Sequence, residues 1–277
     1  MKLPLIESPL SARKVRPLIA GALAVVLLSG CAQSVDPIER LGRKAAQKVH
    51  RPHRRIDRTF RHWGLTAPLV PAPRPARPRA GSAGRPGAGL PEVLDHVPTD
   101  DRVVFLTYDE GVQDDPRFTD MVRELRLPVS VFLTDRAVEP GLAPLARLRE
   151  AGAAIQNQTL DHNPLRGRTY DEQHTEICGQ RDRLEARLGL RPHLLHPPYG
   201  AYDRTTLRAA ADCGITALVL WRPAWERHGR GRFVCAGDIV RPHEPGRPLA
   251  SVTVETSHLL RRIQARGLTV ARLEDYV

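Results

Sequence analysis

Three short segments that lie far apart in the chain are rich in side chains able to bind a metal or transfer protons. They are residues 106–111, 157–162 and 196–200, and a further imidazole follows at His243. Carboxylates and imidazoles are the groups that hold a catalytic divalent metal and act as general acid and base. The segments together predict a single metal site, of which some ligands are replaced.

The elements that must position these segments form an alternating pattern of strands and helices from about Arg102 onward. The predicted strands are near-continuous apolar runs, which are typical of parallel strands buried on both faces. The strands cover residues 103–108, 129–134, 153–157, 193–196, 215–221, 239–241 and 268–273, and the helices cover residues 116–127, 141–150, 169–189, 204–213 and 252–266. This repeated pattern predicts an α/β fold with a parallel sheet that is closed or nearly closed.

Each chemistry-bearing segment directly follows a predicted strand. Asp109 and Glu110 follow the first strand, His162 lies in the loop after the third, and His196 ends the fourth. In parallel α/β barrels the C-terminal strand ends form the face that binds ligands. We therefore expect these side chains to lie near one another on a single face.

In order and spacing, the segments resemble the signature of metal-dependent polysaccharide deacetylases, and the resemblance covers residues 102–277. The matching stretches are Thr-Tyr-Asp-Glu at residues 107–110, Gln158 to His162, and Pro-Tyr-Gly at residues 198–200. The resemblance implies a distorted (β/α) barrel of about seven strands. It also implies removal of N-acetyl or O-acetyl groups from peptidoglycan or chitin-like sugars, with a divalent metal, zinc before any other, as the cofactor.

The resemblance assigns roles to the first two segments. Asp109 matches the catalytic base, and Glu110 stands at the position of a metal-binding Asp. Gln158 stands where the family has its first metal-binding His, and His162 matches the second. The implied metal positions are therefore Glu110, Gln158 and His162.

The later segments match residues that orient the base, hold the substrate and donate a proton. His196 stands where the family has an Arg that orients the base, and Tyr199 matches the residue whose backbone N–H helps to hold the oxyanion. Pro198, Tyr199 and Trp225 are the candidate substrate-binding residues. His243 matches the general acid that protonates the leaving amine.

Besides Tyr108 in place of Phe, four substitutions separate this chain from the family pattern. The neutral amide of Gln158 is a poor zinc ligand beside imidazole. Losing an outer partner of a ligand costs about 10–100-fold in metal affinity, so losing a ligand should cost at least as much. Glu110 is one methylene longer than Asp, His196 lacks the bidentate fork of Arg, and Ala224 replaces an Asp. These changes predict weakened metal binding, or none.

Three functional alternatives remain open at this stage. The domain is a deacetylase of reduced activity, or it is an inactive homologue that binds a glycan or a cell-wall protein. In the third alternative, His196 or His193 swings in as a substitute ligand beside Glu110 and His162, which restores two imidazoles and one carboxylate.

The N-terminus predicts export and lipid attachment. Basic residues precede an apolar run from Leu18 to Leu28, which ends in Leu-Ser-Gly-Cys at Cys31. This arrangement is typical of a secretory signal, and Cys31 resembles the lipidated cysteine of a bacterial lipobox. We predict a lipoprotein signal peptide at residues 1–30 and an extracytoplasmic protein anchored by lipid to the bacterial cell membrane. An uncleaved anchor and an ordinary signal peptide are the alternatives.

Composition divides the rest of the chain into a basic tether at residues 31–65, a Pro/Ala/Arg-rich linker at residues 66–100 and the deacetylase-like domain at residues 101–277. The tether pattern predicts a short basic amphipathic helix at the membrane surface, with a solvated, partly helical spacer as the alternative. Residues 1–100 carry 17 Lys and Arg against 7 Asp and Glu, whereas residues 101–277 carry 25 against 24. The positive charge favours an anionic membrane surface as the partner of the tether, and no nucleic-acid binding is expected.

The cysteine content agrees with an oxidising compartment. Besides Cys31 the chain has Cys178, Cys213 and Cys235. We rank a Cys178–Cys213 disulfide first, because both residues lie on predicted helices that should be neighbours. Buried free thiols are the alternative.

Overall fold

The computed structural model describes residues 59–75, 89–138, 142–221, 234–242 and 252–277. The predicted signal peptide, its lipidated cysteine and most of the tether lie outside this part of the chain. Within it, no helix has the length and apolar character needed to cross a membrane.

A single parallel sheet organises the described residues, as the alternating pattern predicts. Its strands are β1 (Glu92–Leu94), β2 (Val103–Tyr108), β3 (Val129–Leu133), β4 (Ala154–Asn157), β5 (Leu194–Leu195), β6 (Ala217–Val219), β7 (Ile239–Val240) and β8 (Thr269–Ala271). Seven strands follow the order β1-β6-β5-β4-β3-β2-β7, and β8 pairs with β2. All of these strand pairs are parallel.

Helices follow most of the strands. They are α1 (Pro116–Leu125), α2 (Asp135–Val138), α3 (Leu142–Glu150), α4 (Tyr170–Leu188), α5 (Arg204–Asp212) and α6 (Val252–Ala265). The predicted capping box opens α4: Thr169 accepts from the backbone N–H of Glu172, and the Glu172 carboxylate accepts from the backbone N–H of Thr169. Gly189 ends the same helix in the left-handed conformation.

The alternation of side chains along β2 produces two apolar layers. Val103 and Phe105 belong to an inner cluster with Phe132 of β3, and apolar residues from most other strands join them. Leu106 faces the other way and packs with Phe118 of α1 in an outer cluster that also includes side chains of α3 and α6. Burial of each such large side chain stabilises the fold by about 1.5–3 kcal/mol.

The two ends of the strand order meet just beyond β1 and just before β7. His96 and Asp238 form an antiparallel bridge, and the Val97 N–H donates to the Gly237 carbonyl at 2.8 Å. Gly237 has φ of +80°, and a Cβ there would lie 2.2 Å from the Val97 carbonyl oxygen, so the close approach requires glycine. The nearly closed parallel sheet with its surrounding helices confirms the expected distorted (β/α) barrel.

The folded unit extends N-terminally of the boundary predicted at residue 101. β1, inside the predicted linker, pairs with β6. Residues 59–75 pack against the domain, because Phe60, Trp63 and Leu65 are buried and Trp63 Nε1 donates to the Glu124 carboxylate at 2.9 Å. The contacts come from isolated aromatic and aliphatic side chains in a proline-rich stretch, which has no periodicity from which an element could be predicted.

The predicted disulfide between Cys178 and Cys213 is present and joins α4 to the end of α5. Cys235 is a free thiol. The Cys178–Cys213 pairing was expected because neighbouring βα units place the two helices side by side.

Candidate functional site

Asp109, the predicted base, directly follows β2 and accepts hydrogen bonds from two side chains. Arg241 Nη1 donates to Oδ2 at 2.9 Å, and Gln158 Nε2 donates to Oδ1 at 2.5 Å. Arg241 follows β7 and Gln158 follows β4. Three strand ends therefore converge on one carboxylate, on the face where barrel enzymes place their sites.

Burial is the largest influence on the ionisation of Asp109. It raises the pKa of the carboxyl above its ordinary value, and the positive charge of Arg241 and the amide of Gln158 offset that rise only in part. The side chains of Asp109 and Arg241 are 20% and 25% exposed, so water screens this pair less than it screens a surface pair. A carboxylate of raised pKa is a better proton acceptor than an ordinary one.

Arg241 provides the guanidinium that the family resemblance assigns to position 196. We predicted no role for Arg241 from the sequence. The available signal was an arginine directly after a predicted strand and two residues before His243, in a chain that has His196 in place of the expected arginine. The pairing with Asp109 is thus retained from a different strand.

His196, Trp221 and Arg241 form a layered stack beside Asp109. The rings of His196 and Trp221 are stacked with centroids 3.5 Å apart, and Arg241 Cζ lies 4.6 Å from the Trp221 ring centroid. His196 Nδ1 lies 2.7 Å from the Val219 carbonyl, which can only accept, so Nδ1 carries the proton of a neutral ring. Burial lowers the pKa of His196 to about 3, which keeps the ring neutral at physiological pH.

In this arrangement neither His196 nor His193 is placed beside Glu110 and His162 as a substitute metal ligand, and that alternative stays a prediction. His196 is held by Trp221 and by the Val219 carbonyl, as described above. His193 precedes β5 and therefore lies at the opposite end of that strand from the site, where it borders a cavity with Glu274. Among the residues that the structure describes, neither imidazole belongs to a group of three ligand atoms close enough to share an ion.

The orientation of the Gln158 amide follows from its partner. An ionised Asp109 only accepts hydrogen bonds, so the NH2 group of Gln158 must face it. The Gln158 Oε1 atom then lies on the other side of the amide, where it is buried without a hydrogen-bond partner. The side chain of Gln158 therefore binds Asp109, whereas the family pattern has a metal-binding imidazole at this position.

The strand-end residues do not fit a zinc site. Glu110 accepts a hydrogen bond from the Thr134 hydroxyl, and the only remaining imidazole of the implied set, His162, packs edge-on against the Tyr199 ring with centroids 5.0 Å apart. Across the described residues, no three His, Cys, Asp or Glu side chains at the strand ends have ligand atoms within 4.8 Å of one another. One amide, one carboxylate and one imidazole form a weaker donor set for zinc than two imidazoles and a carboxylate.

Strained backbone is concentrated in the two loops that carry His162 and Tyr199. Thr159, His162 and Tyr199 have φ of 71°, 58° and 59°, and they are three of the four non-glycine residues with positive φ in the described chain. Such conformations cost about 1–3 kcal/mol each and persist where the surroundings enforce them. Glu176 of α4 supports the first loop, since its carboxylate accepts from the Asp161 N–H at 3.1 Å.

Tyr199 presents the most exposed aromatic surface at this face. Its side chain is 74% exposed, whereas Pro198 beside it is buried in a short 3-10 turn. An exposed ring of this kind can stack on the apolar face of a sugar. The predicted acid His243 and the predicted substrate residue Trp225, with Ala224, lie outside the described residues, so their roles stay predictions.

Comparison with protein families and curated proteins agrees with the geometry. A family model described as polysaccharide deacetylase matches residues 96–218. An uncharacterised protein of Streptomyces coelicolor is 49% identical over 210 residues, which cover 72% of this chain and 84% of that protein. A peptidoglycan-N-acetylmuramic acid deacetylase of Bacillus subtilis is 23% identical over 155 residues, which cover 53% of this chain and 59% of that protein. The second alignment thus spans less than two thirds of its partner.

Among solved structures, a CE4 family pseudoenzyme from Bacillus anthracis has the same fold. Its TM-score is 0.58 at 18% sequence identity, and the alignment covers 67% of this chain and 69% of that one. A family 4 carbohydrate esterase from Streptomyces lividans, solved with acetate, aligns with a TM-score of 0.51 at 19% identity over 62% of this chain and 93% of that one. At these identities the similarity establishes the fold.

Proposed function

The chain belongs to the polysaccharide deacetylase family, and we propose that its domain binds an acetylated cell-wall glycan without efficient metal-dependent turnover. One observation carries the proposal: Gln158 holds Asp109 through its amide, at the position where the family has a metal-binding imidazole. The amide is a poor zinc ligand. The exposed ring of Tyr199 still offers a sugar a surface to stack on.

The relatives support both halves of this proposal. The Bacillus anthracis neighbour is a pseudoenzyme with this fold, so the barrel occurs without the activity. The Bacillus subtilis relative is named for its action on peptidoglycan, which makes an acetylated glycan of the cell wall the first ligand class to test.

Metal content and acetate release from the purified, disulfide-bonded protein test the loss of turnover. We expect substoichiometric zinc and no acetate release from acetylated peptidoglycan. Gln158→His combined with Glu110→Asp restores two imidazoles and one carboxylate, and it should raise zinc affinity at least ~10-fold. Gln264→His on α6 is the matched control and should leave the affinity unchanged. Stoichiometric zinc together with acetate release by the wild type would overturn the proposal.

Co-sedimentation with insoluble peptidoglycan tests glycan binding. We expect binding to the acetylated polymer and weaker binding after chemical N-deacetylation. Tyr199→Ala should weaken binding about 3–10-fold, because a stacked aromatic contact contributes about 0.5–1.5 kcal/mol. Leu142→Ala, at an exposed apolar position on α3, is the control. Equal binding by wild type and Tyr199→Ala would exclude this face as the glycan site.

Slow residual hydrolysis is a second candidate, and the Arg241–Asp109 pair favours it. The pair keeps a partly buried carboxylate, whose pKa burial raises, at the position of the base. Long incubations with acetylated oligosaccharide should then release acetate in the wild type and none in Asp109→Asn. Equal release by both proteins would reject this candidate.

We also propose that residues 1–30 direct export and that Cys31 carries the lipid which anchors the protein to the membrane, where the basic residues up to 65 lie against anionic lipid. The support is the signal pattern and the charge of this segment. Metabolic labelling with a radioactive fatty acid should label the wild type and Cys235→Ser but not Cys31→Ser. A labelled Cys31→Ser protein would contradict the assignment.

A further inference from the structure

One side-chain cluster away from the strand ends has the composition of a zinc site. His174 and Cys178 lie four residues apart on α4, so one face of the helix presents both, and Cys213 directly follows α5. The ligand atoms of these three residues all lie within 4.8 Å of one another, and His174 Nε2 is 3.3 Å from Cys178 Sγ. We call this trio the His-Cys-Cys cluster. In the described part of the chain it is the one group of His, Cys, Asp or Glu side chains with this proximity.

The two helices are held together by contacts that do not depend on the disulfide. Tyr170 of α4 donates through its hydroxyl to Asp212 of α5 at 2.6 Å, and the Thr206 hydroxyl of α5 donates to Gln173 of α4 at 2.5 Å. Ile177 is fully buried in the apolar cluster shared by both helices. These contacts remain after the S–S bond is reduced. The three ligand atoms therefore stay on two helices that pack against each other.

We propose that reduction of the Cys178–Cys213 disulfide converts the His-Cys-Cys cluster into a zinc-binding site. A dithiol reductant supplies two electrons and two protons, so the S–S bond breaks, two thiols form and the reductant becomes a disulfide. Binding of Zn²⁺ to the two sulfurs then releases the two thiol protons to solvent. His174 binds through the lone pair of neutral Nε2, and no further redox change occurs.

The donor chemistry favours zinc over a harder cation. Two thiolates and one imidazole match the soft-to-borderline preference of Zn²⁺, whereas Mg²⁺ and Ca²⁺ prefer oxygen. Zinc takes four ligands, with Zn–S of about 2.3 Å and Zn–N of about 2.0–2.1 Å, so water completes the set. Both sulfurs are buried and His174 is partly exposed, which gives the ion an entry path on the imidazole side.

This site is independent of the function proposed for the strand ends, and it changes how zinc analysis is interpreted. Zinc that is found in protein purified under reducing conditions but not in the disulfide-bonded protein reports on the His-Cys-Cys cluster. Zinc found in the disulfide-bonded protein reports on the strand ends. The disulfide state therefore separates failure of one proposal from failure of the other.

Cobalt(II) titration of the full chain tests the site, because cobalt takes the ligands that zinc takes and absorbs strongly when bound by thiolate. A Cys31→Ser/Cys235→Ser background removes the other two cysteines of the chain, and a phosphine reductant avoids a competing dithiol. We expect thiolate-to-cobalt absorption with the reduced protein, displaced by one equivalent of zinc, and none with the oxidised protein. His174→Ala should weaken metal affinity at least ~10-fold. His258→Ala, at an exposed position on α6, should not change it.

Three outcomes overturn the proposal. The first is the absence of cobalt–thiolate absorption in reduced protein whose helical circular dichroism is intact. The second is equal metal affinity in wild type and His174→Ala, which would mean that two thiols bind the ion without the imidazole. If reduction abolishes the helical signal and zinc does not restore it, the inferred preorganisation of α4 and α5 is also wrong.

Discussion

Replacing Arg241 by Gln removes the guanidinium from Asp109 and from the face of Trp221, while it keeps a polar side chain at the end of β7. The pair to be broken is short and only partly exposed: Nη1 and Oδ2 are 2.9 Å apart, and the two side chains are 25% and 20% exposed. Since burial already disfavours the charged form of Asp109, loss of its cationic partner leaves a poorly solvated carboxylate. We therefore predict a stability loss that depends on Asp109.

The magnitude follows from the contacts. A hydrogen bond to a charged group contributes about 1.5–3 kcal/mol, and removing one partner of a fully buried pair costs about 3–5 kcal/mol. Partial exposure places Arg241→Gln near the lower figure, at about 2 kcal/mol. The guanidinium over the Trp221 ring adds about 0.5–1 kcal/mol. The total loss should be about 2.5–3 kcal/mol, of which about 2 kcal/mol is the coupling with Asp109.

A double-mutant cycle separates these contributions. Urea unfolding of wild type, Arg241→Gln, Asp109→Asn and the double variant at neutral pH gives the coupling energy, provided the denaturant slopes agree. The chain contains a matched control in the Arg123–Asp120 pair on α1, whose side chains are 61% and 47% exposed. Its coupling should be below about 0.5 kcal/mol, because exposed helix pairs contribute little.

The cycle refutes the reasoning if the Arg241–Asp109 coupling is no larger than that of the surface pair. Arg241→Gln would then act through lost packing on Trp221 alone. The guanidinium could not be said to replace the arginine expected at position 196.

Three further predictions concern stability. Reduction of the Cys178–Cys213 disulfide, which closes a loop with a sequence separation of 35, should lower the free energy of unfolding by about 3–4 kcal/mol, measured by urea unfolding with and without reductant. Trp63→Ala should cost about 3 kcal/mol by the same assay, because it removes a buried ring and its hydrogen bond, and no loss would mean that residues 59–75 are not part of the cooperative unit. Burial lowers the pKa of His196 to about 3 in the folded state, so between about pH 6.5 and pH 3 the unfolded chain binds a proton that the folded chain does not. Stability should fall by about 1.4 kcal/mol per pH unit as the pH drops through that range. His196→Phe should remove that contribution to the pH slope.

The barrel could be predicted largely because its elements are local patterns. β2 was predicted as Val103–Tyr108 and has those bounds, since six consecutive buried apolar or small polar residues are typical of a parallel strand. The end of α1 was less predictable. The apolar pattern continues to Leu127, but Arg126 adopts the left-handed conformation and ends the helix after Leu125. Helix ends depend on single backbone angles, which the pattern does not encode.

The sequence predicted which residues lie at the candidate site, but it did not predict which of their side chains contact one another. Asp109, Gln158 and His162 could be assigned to one face, because each follows a strand of a parallel sheet. The pairing of Asp109 with Arg241 depends on the direction of a long side chain from a strand that lies 132 residues further along the chain. Residue types and spacing carry no information on that direction, and the same limit hid the stack of His196 on Trp221.

The side chain at position 158 decides between the two alternatives for this domain, an inactive glycan-binding protein and a metal-dependent deacetylase. An amide there donates to Asp109 and so stabilises a partly buried carboxylate that has one other strong partner, Arg241. An imidazole there that bound a metal through one ring nitrogen would no longer serve Asp109 in the same way, and the charge of the ion would have to compensate. Retention of the base and its guanidinium together with loss of the metal donor is therefore a self-consistent arrangement. In this arrangement protein groups alone stabilise the Asp109 carboxylate. Because Gln158→His removes one of those groups, the stability and activity of the variant should be measured with zinc present.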